Sequence, residues 1–305
     1  MKILTAAALI GCLLLSGCSE DTSASQSGGR IVVLCAFTPE LEALLEKMDV
    51  NSIDLLCGRT CHIGVLGGKD AVLVESGISM INAAMMAQAV IMKYTPRALI
   101  FTGVAGGVNP DLNVSDIYVA AAWGLYQEQL YAREIPGGWD TSGLGEPFYY
   151  PNFNMIFPFN TYITSVVGEP DVEESVFWLP VDPGLLEAAE SLVSTVILKR
   201  CNEKGECLDH APIVVTGGKG ASGTTFVDNE SYCLYLSDYL AVNAVDMESA
   251  AVAQVARVNH VPFIAIRAMS DRAGIPANKR EFSRFAGLAA ENAATYLEMY
   301  LKSLP

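Results

Sequence analysis

The chain has 305 residues, 51% of them hydrophobic and 17% charged, enough for one large α/β domain with a substantial core. Its 34 acidic against 19 basic side chains leave a formal net charge of -15 at pH 7, and no stretch offers a basic stripe to phosphates, which argues against a nucleic-acid partner. The balance favours a small, uncharged ligand.

From the N-terminus, Lys2, the apolar residues 6–15 and then Leu15-Ser16-Gly17-Cys18 have the layout of a short secretory signal over residues 1–17. Leu-Ser-Gly-Cys resembles the bacterial lipobox. That resemblance implies an exported lipoprotein, anchored to a membrane through lipidated Cys18 and facing the periplasm or cell exterior; an ordinary signal peptide with an incidental cysteine is the alternative. Residues 18–29 are Ser/Gly-rich and polar, a flexible tether. The folded domain is expected over residues 30–305.

Of the 8 cysteines, Cys12 leaves with the signal. Cys201 and Cys207 flank a polar Asn-Glu-Lys-Gly-Glu loop, and Cys57 and Cys61 flank Gly58-Arg59-Thr60, so two small-loop disulfides are predicted in an oxidising compartment. Cys35 and Cys233 then remain free. Zinc is the rival reading, but His62, His210 and His260 lack ligand spacing. No metal and no cofactor is expected.

Residues 31–36 form a continuous apolar run that reads as a buried strand. Thr38 is the expected cap of a helix running through Leu45, with Pro39 its first residue and Glu40 a first-turn acid. This is ordinary helix-start chemistry, but the junction opens on the side of the sheet where α/β proteins bind ligands. A second unit follows: strand 71–75, a turn at Ser76-Gly77, an Ala- and Met-rich helix over 80–92 stopped by Pro96, and a strand over 98–101. The glycine-rich Thr102-Gly103-Val104-Ala105-Gly106-Gly107 is expected to leave that strand as a loop. It matches neither the dinucleotide nor the nucleoside-triphosphate fingerprint, and its small residues would let a flat ligand lie against the backbone.

After a strand over 117–122, residues 123–180 turn aromatic and Pro/Gly-rich, with Trp139, Phe148, Tyr149, Tyr150, Phe153, Phe157, Phe159 and Tyr162. They read as an ordered insertion near the pocket or a subunit interface. A helix over 184–196, a strand over 212–216 and a glycine-rich turn over 217–223 come next. Residues 225–228 are expected to open a helix, leaving Phe226 either to stack on a base or to pack in the core.

Residues 247–258 recur at helical spacing, and 262–269 form an apolar run of strand length after a tight turn. Glu248 sits at the very start of the helix, where the macrodipole also favours an acid. Asp271 is expected just past the carboxyl end of the strand, as a working acid or as the cap of a turn before Gly274 and Pro276. Arg267 interrupts the apolar run and needs a buried partner.

The segments SGIS (76–79), TGVAGG (102–107), SGTTFVDN (222–229), VDMESAA (245–251) and IRAMSD (266–271) together resemble the purine and uridine phosphorylase superfamily, in its order and over nearly the whole mature chain. Residues 36–40 are similar to the N-terminal Ala-Met-Glu-Glu-Glu segment of methylthioadenosine/S-adenosylhomocysteine nucleosidases. The insertion, the 201–207 loop and the FVDN and VDMESAA wording are closer to the plant bark storage protein branch. The chain departs from the nucleosidase wording at Thr38-Pro39, at Val104 where serine is common, and at Asp246 where glutamate is common.

The resemblance implies an α/β fold: a three-layer αβα domain around a central mixed, largely parallel sheet, acting on a purine nucleoside as a homodimer. It makes Asp271 the general acid that protonates the imidazole nitrogen of the base, and Glu40 the residue that positions the attacking water. Glu248 would hold the ribose hydroxyls and Met247 pack on the sugar. Phe226 and Val227 would line the base site, Ala105 and Gly106 offer backbone to the nucleoside, and Ile78 and Ser270 complete the substrate site. Hydrolysis of the N-glycosidic bond is the expected reaction, since a carboxylate at Glu40 would repel phosphate and no Arg-bearing phosphate loop follows the first strand. A phosphorylase and a non-catalytic nucleoside-binding or storage protein are the alternatives.

Overall fold

Five consecutive apolar residues, all fully buried, make β1 (Ile31–Cys35). A strand apolar on both faces needs cover on both, which places it at the centre of a layered sheet. In the computed structural model, which describes residues 29–142, 150–169, 171–276 and 278–305, it is flanked by parallel neighbours on either side. The expected signal, Cys18 and almost all of the tether lie outside the described residues, as do Phe148 and Tyr149.

The chain turns from β1 into α1 (Thr38–Leu45), then runs through β2 (Met48–Leu56), β3 (Arg59–Leu66) and β4 (Lys69–Glu75). The N-cap of α1 is Phe37 rather than Thr38, because Glu40 reaches back to the backbone N–H groups ahead of the helix. The hairpin joining β2 and β3 was not anticipated; its two turn residues, Cys57 and Gly58, have φ of 49° and 76°, the twist that suits a two-residue connection. That hairpin is also why Cys57 and Cys61 are not bridged. Cys57 sits at the exposed turn, while Cys61 lies within β3, paired with Asp54 of β2, and is buried; both thiols are free. The Cys201–Cys207 bridge is formed, and Cys35 and Cys233 are free, as expected.

Next come α2 (Met80–Tyr94), β5 (Ala98–Gly107), β6 (Ile117–Val119) and β7 (Ala122–Leu125). The predicted glycine-rich loop is the second half of β5: residues 102–107 continue the ladder because β18, defined below, runs parallel beside them to Gly107. The expected strand over 117–122 breaks after Val119, where the chain changes neighbours from one part of the sheet to another.

The insertion is ordered where described. Its short strands β8 (Gln129–Tyr131), β9 (Arg133–Ile135), β10 (Gly138–Asp140), β11 (Ile156–Pro158), β12 (Thr161–Thr164) and β13 (Glu173–Val176) pair among themselves, and β14 (Trp178–Pro180) rejoins the main sheet on β7. Helix α3 (Pro183–Glu190) is capped by Asp182 and stops six residues short of the expected end. β15 (Val214–Thr216) precedes β16 (Lys219–Ser222), so the anticipated turn over 217–223 shrinks to Gly217-Gly218. Residues 225–228 remain a loop, because Asn229 caps α4 (Glu230–Leu240) by accepting the Tyr232 N–H at 2.9 Å. Rings of the insertion close on α4: Phe153 lies 5.1 Å from Tyr232 between centroids, and Tyr235 Oη donates to the Pro151 carbonyl at 2.7 Å.

β17 (Val242–Asp246), α5 (Ser249–Val258), β18 (Phe263–Arg272) and α6 (Asn278–Ser303) complete the chain. Among the described residues the main sheet has 12 strands in the order β14-β7-β16-β17-β5-β1-β4-β3-β2, with β18 beside β5 and β6, and β15 on β6. Parallel ladders (β4-β1-β5-β18, β17-β16-β7 and β15-β6) are joined by antiparallel ones (β17-β5, β18-β6, β14-β7 and β2-β3-β4), so the sheet is mixed. Helices α2 and α5 pack together on it, and α6 packs against β5 and β18 with α1 and α3 at its sides, giving the three layers.

Candidate active site

The site begins as a gap in hydrogen bonding. β1 accompanies β5 only as far as the Leu34–Phe101 pair, and β17 joins β5 from the opposite direction at Val245–Gly106. Between these points no strand of the described residues lies beside that edge of β5. A cavity of about 340 Å³ fills the gap, of a size for a small organic ligand. All ten residues expected in the site line it: Glu40, Ile78, Ala105, Gly106, Phe226, Val227, Met247, Glu248, Ser270 and Asp271.

Glu40 takes the place of the missing strand. Its Oε1 accepts the Val104 N–H at 2.7 Å, and its Oε2 accepts the Ala36 N–H at 2.6 Å and the Phe37 N–H at 3.4 Å. One carboxylate thereby satisfies backbone donors just past β1 and within β5. The approach is so close that a Cβ on Gly103 would stand 2.0 Å from Oε1, which makes glycine obligatory there, at φ +148°. Burial pushes the Glu40 carboxyl up to about 7, against the pull of the Arg267 charge and of the Ala36 and Val104 N–H groups.

Glu248 stands at the junction of β17 and α5, 4% exposed. Its Oε1 accepts the Ser79 N–H at 2.9 Å and its Oε2 accepts Arg267 Nη2 at 3.0 Å. Each oxygen retains a lone pair for a further donor. Burial raises its carboxyl above the usual range while Arg267 opposes the rise. Arg267 has found the buried partners it required: it pairs with both Asp246 and Glu248, and its guanidinium lies 4.4 Å over the Phe101 ring.

Asp271 lies within β18 rather than beyond its end, since a register shift between Met269 and Asp271 bulges Ser270 and the ladder resumes to Arg272. The residue is 2% exposed, and burial pushes its carboxyl up to about 6 against the hydrogen bond from Ser270. Ser270 Oγ is 2.8 Å from Asp271 Oδ2 and 3.2 Å from the Ala105 carbonyl. Its single proton can serve the ionised carboxylate, or turn to the carbonyl when Asp271 carries its own. Ser270 can therefore stay partnered whichever state Asp271 takes.

The walls are apolar. Phe226, half-exposed at the mouth, meets Phe282 edge to face at 6.0 Å. Phe282, Phe37, Thr225, Val245, Asp246 and Ala273 were not foreseen in the site. Phe282 belongs to α6, which was missed although Phe285, Leu288, Ala289, Tyr296, Leu297, Tyr300 and Leu301 recur at helical spacing and are buried. No described residue of the 123–180 insertion lines the cavity, but the insertion braces its wall: Gln127 Nε2 donates to Oγ1 of the lining residue Thr225 at 2.6 Å.

Four of the described lining residues are acidic, Glu40, Asp246, Glu248 and Asp271, and none is basic. Among the described residues no group of three or more metal-ligating side chains is arranged to hold an ion. A wider groove of about 800 Å³ lies between the β12–β13 hairpin and the end of α5, but its Arg257 and Glu174 are paired with each other and Asp182 is spent capping α3. Size alone therefore does not locate the chemistry; converging buried carboxylates do.

Residues 30–302 match the family model of the phosphorylase superfamily. The chain is 29% identical over 276 residues to a 5′-methylthioadenosine/S-adenosylhomocysteine nucleosidase of Bacillus cereus (strain G9842), covering 90% of this chain and 99% of the relative. Among solved structures, it is similar to the nucleosidase of that name from Neisseria meningitidis in complex with methylthio-immucillin-A, with a TM-score of 0.67, 25% identity, and 90% and 100% of the two chains covered. It is similar in fold to futalosine hydrolase of Helicobacter pylori, with a TM-score of 0.68, 23% identity, and 90% and 98% covered.

Proposed function

The chain belongs to the phosphorylase superfamily over residues 30–302, and on that premise we propose that it hydrolyses the N-glycosidic bond of purine nucleosides of the 5′-methylthioadenosine, S-adenosylhomocysteine or adenosine type, releasing free base and free sugar. The observation that carries hydrolysis over phosphorolysis is the lining: four acids and no basic residue, with Glu40 fixed by three backbone N–H groups. A phosphate nucleophile would enter against that charge, whereas water would find an acceptor for its proton.

The chemistry needs three things. Breaking the bond develops positive charge on the sugar and negative charge on the leaving base. Asp271, protonated, gives its proton to the imidazole nitrogen of the purine. Glu248, ionised, accepts the ribose hydroxyls on its free lone pairs and steadies the cationic sugar. Glu40 orients water toward the anomeric carbon and takes its proton as the new C–O bond forms. Glu40 ends protonated and Asp271 ionised, and exchange with solvent restores both. Phe226 and Val227 face one side of the base while Ala105 and Gly106 present backbone, and the apolar Phe37, Ile78 and Phe282 suit a thioether substituent.

Adenosine, methylthioadenosine and inosine given to the domain 30–305, with and without phosphate, test the reading through the sugar released. Free ribose or methylthioribose is expected at rates that phosphate does not change, with inosine the poorest of the three. Ribose 1-phosphate formed only with phosphate would establish a phosphorylase. Adenine bound with no product under either condition would make the protein a binding or storage protein.

The Leu15-Ser16-Gly17-Cys18 motif supports export as a lipoprotein tethered through Cys18. Cells fed labelled palmitate should mark the full chain but not its Cys18→Ala variant. Label in that variant, or none in the unaltered chain, removes the anchor.

A further inference from the structure

Glu248 and Arg267 share one neighbour to which no step of the reaction gives a role. Asp246, the last residue of β17, has a side chain 1% exposed, and its Oδ2 accepts Arg267 Nε at 2.8 Å and Nη2 at 2.6 Å. Its Oδ1 accepts the N–H groups of Glu248 and Ser249, both at 3.2 Å, two and three residues ahead, which is how a capping side chain closes a helix start. The Ser222 hydroxyl also donates to Oδ1, and Ser222 Oγ in turn accepts the Ala250 N–H at 2.8 Å. Between them Asp246 and Ser222 satisfy three of the four open donors at the start of α5.

The consequence falls on Glu248. It occupies the N-cap of α5, yet its side chain makes no capping bond. Its carboxylate is instead directed to Ser79 and Arg267 and lines the cavity. A glutamate left to cap its own helix would turn that carboxylate toward the helix start. The short arm of an aspartate two residues earlier does the capping and at the same time fixes the guanidinium that grips Glu248 Oε2.

We propose that Asp246, braced by Ser222, is a positioning residue that sets where the Glu248 carboxylate stands, and so governs recognition of the ribose hydroxyls without touching them. This rests on the reading that Glu248 holds those hydroxyls. Asp246→Asn should lower kcat/KM on adenosine about 100-fold, the scale of a misplacement of about 1 Å, because the amide would turn a donor toward Arg267 or toward the helix N–H groups. The Ki of adenine, which has no ribose, should change by less than about threefold. In a Glu248→Gln background the same substitution should cost no more than about threefold further, since the group it positions is already compromised. Ser222→Ala removes only the hydroxyl brace and should give a loss of about fivefold in the same direction, available even if Asp246→Asn does not fold.

Equal losses for adenosine and adenine, a full-sized loss in the Glu248→Gln background, or unchanged kcat/KM in both single variants would overturn the positioning role. Failure of the underlying reading looks different: the unaltered enzyme would release no adenine, or Glu248→Gln would weaken adenosine and adenine alike.

Discussion

Asp271→Asn lowers kcat on adenine nucleosides about 10²–10⁴-fold, the usual contribution of a general acid, and leaves adenine bound. The amide keeps the shape, can still accept from Ser270 and can hydrogen-bond a ring nitrogen, but has no proton to transfer. In the parent enzyme burial holds the carboxyl at about 6, so the protonated form is present to a useful extent near neutral pH and is lost as pH rises through that value. The alkaline limb of the rate profile belongs to this group and should vanish in the variant. The same shift has a stability signature of definite sign. The unfolded chain gives up this proton near 3.8 and the folded chain near 6, so stability falls as pH rises between them, and the ionised group remains a burden above. Asp271→Asn should therefore melt higher than the parent above pH 6 and close to it below pH 3.8. Near-normal turnover at unchanged pH dependence would reduce Asp271 to a structural residue of the bulge.

How far the sequence carried this site depended on whether a residue's partner lay nearby. Residues 31–35 and 263–269 were legible as buried strands because a short run that is apolar throughout, or broken only at Arg267, suits a strand covered on both faces. The need of Arg267 for a buried partner was equally legible, though that Asp246 and Glu248 are the partners was not. Residues 102–107 misled because glycines read locally as a turn, whereas here they serve a neighbour 63 residues away in sequence: Gly103 is bare because the Glu40 carboxylate occupies the place of its side chain. The Cys57–Cys61 spacing suggested a bridge, but a two-residue turn puts Cys57 at its exposed tip and Cys61 in the buried strand behind it, and both thiols are free. Phe282 was within reach of periodicity, since the helix that carries it repeats its buried face from Phe285 to Leu301. Its contact with Phe226 was not, because nothing local brings α6 over the loop before α4.

Glu40→Gln should abolish hydrolysis to the same extent, about 10²–10⁴-fold in kcat, and for a reason that separates it from loss of binding. Glu40 takes three N–H donors, all of them on the β1–α1 junction or on Val104, and only an acceptor on both oxygens satisfies them. A glutamine presents one amide NH₂ to donors, and its oxygen cannot take up the proton that water releases. Burial has brought the parent carboxyl to about 7, close to the pH at which an effective base works. Glu40 gains its ionised form as pH rises through about 7 while Asp271 loses its proton through about 6, so activity should peak between those values and fall on either side. Because the base ionises later than the acid, the productive pair is a minority at every pH and the profile is a narrow bell between those values. The acid limb disappears in Glu40→Gln, as the alkaline limb does in Asp271→Asn, and adenine affinity survives in both. Phosphate is the decisive addition: if Glu40→Gln formed ribose 1-phosphate as fast as the parent releases ribose, the carboxylate would have no part in presenting the nucleophile, and the hydrolase would have to be read as a phosphorylase.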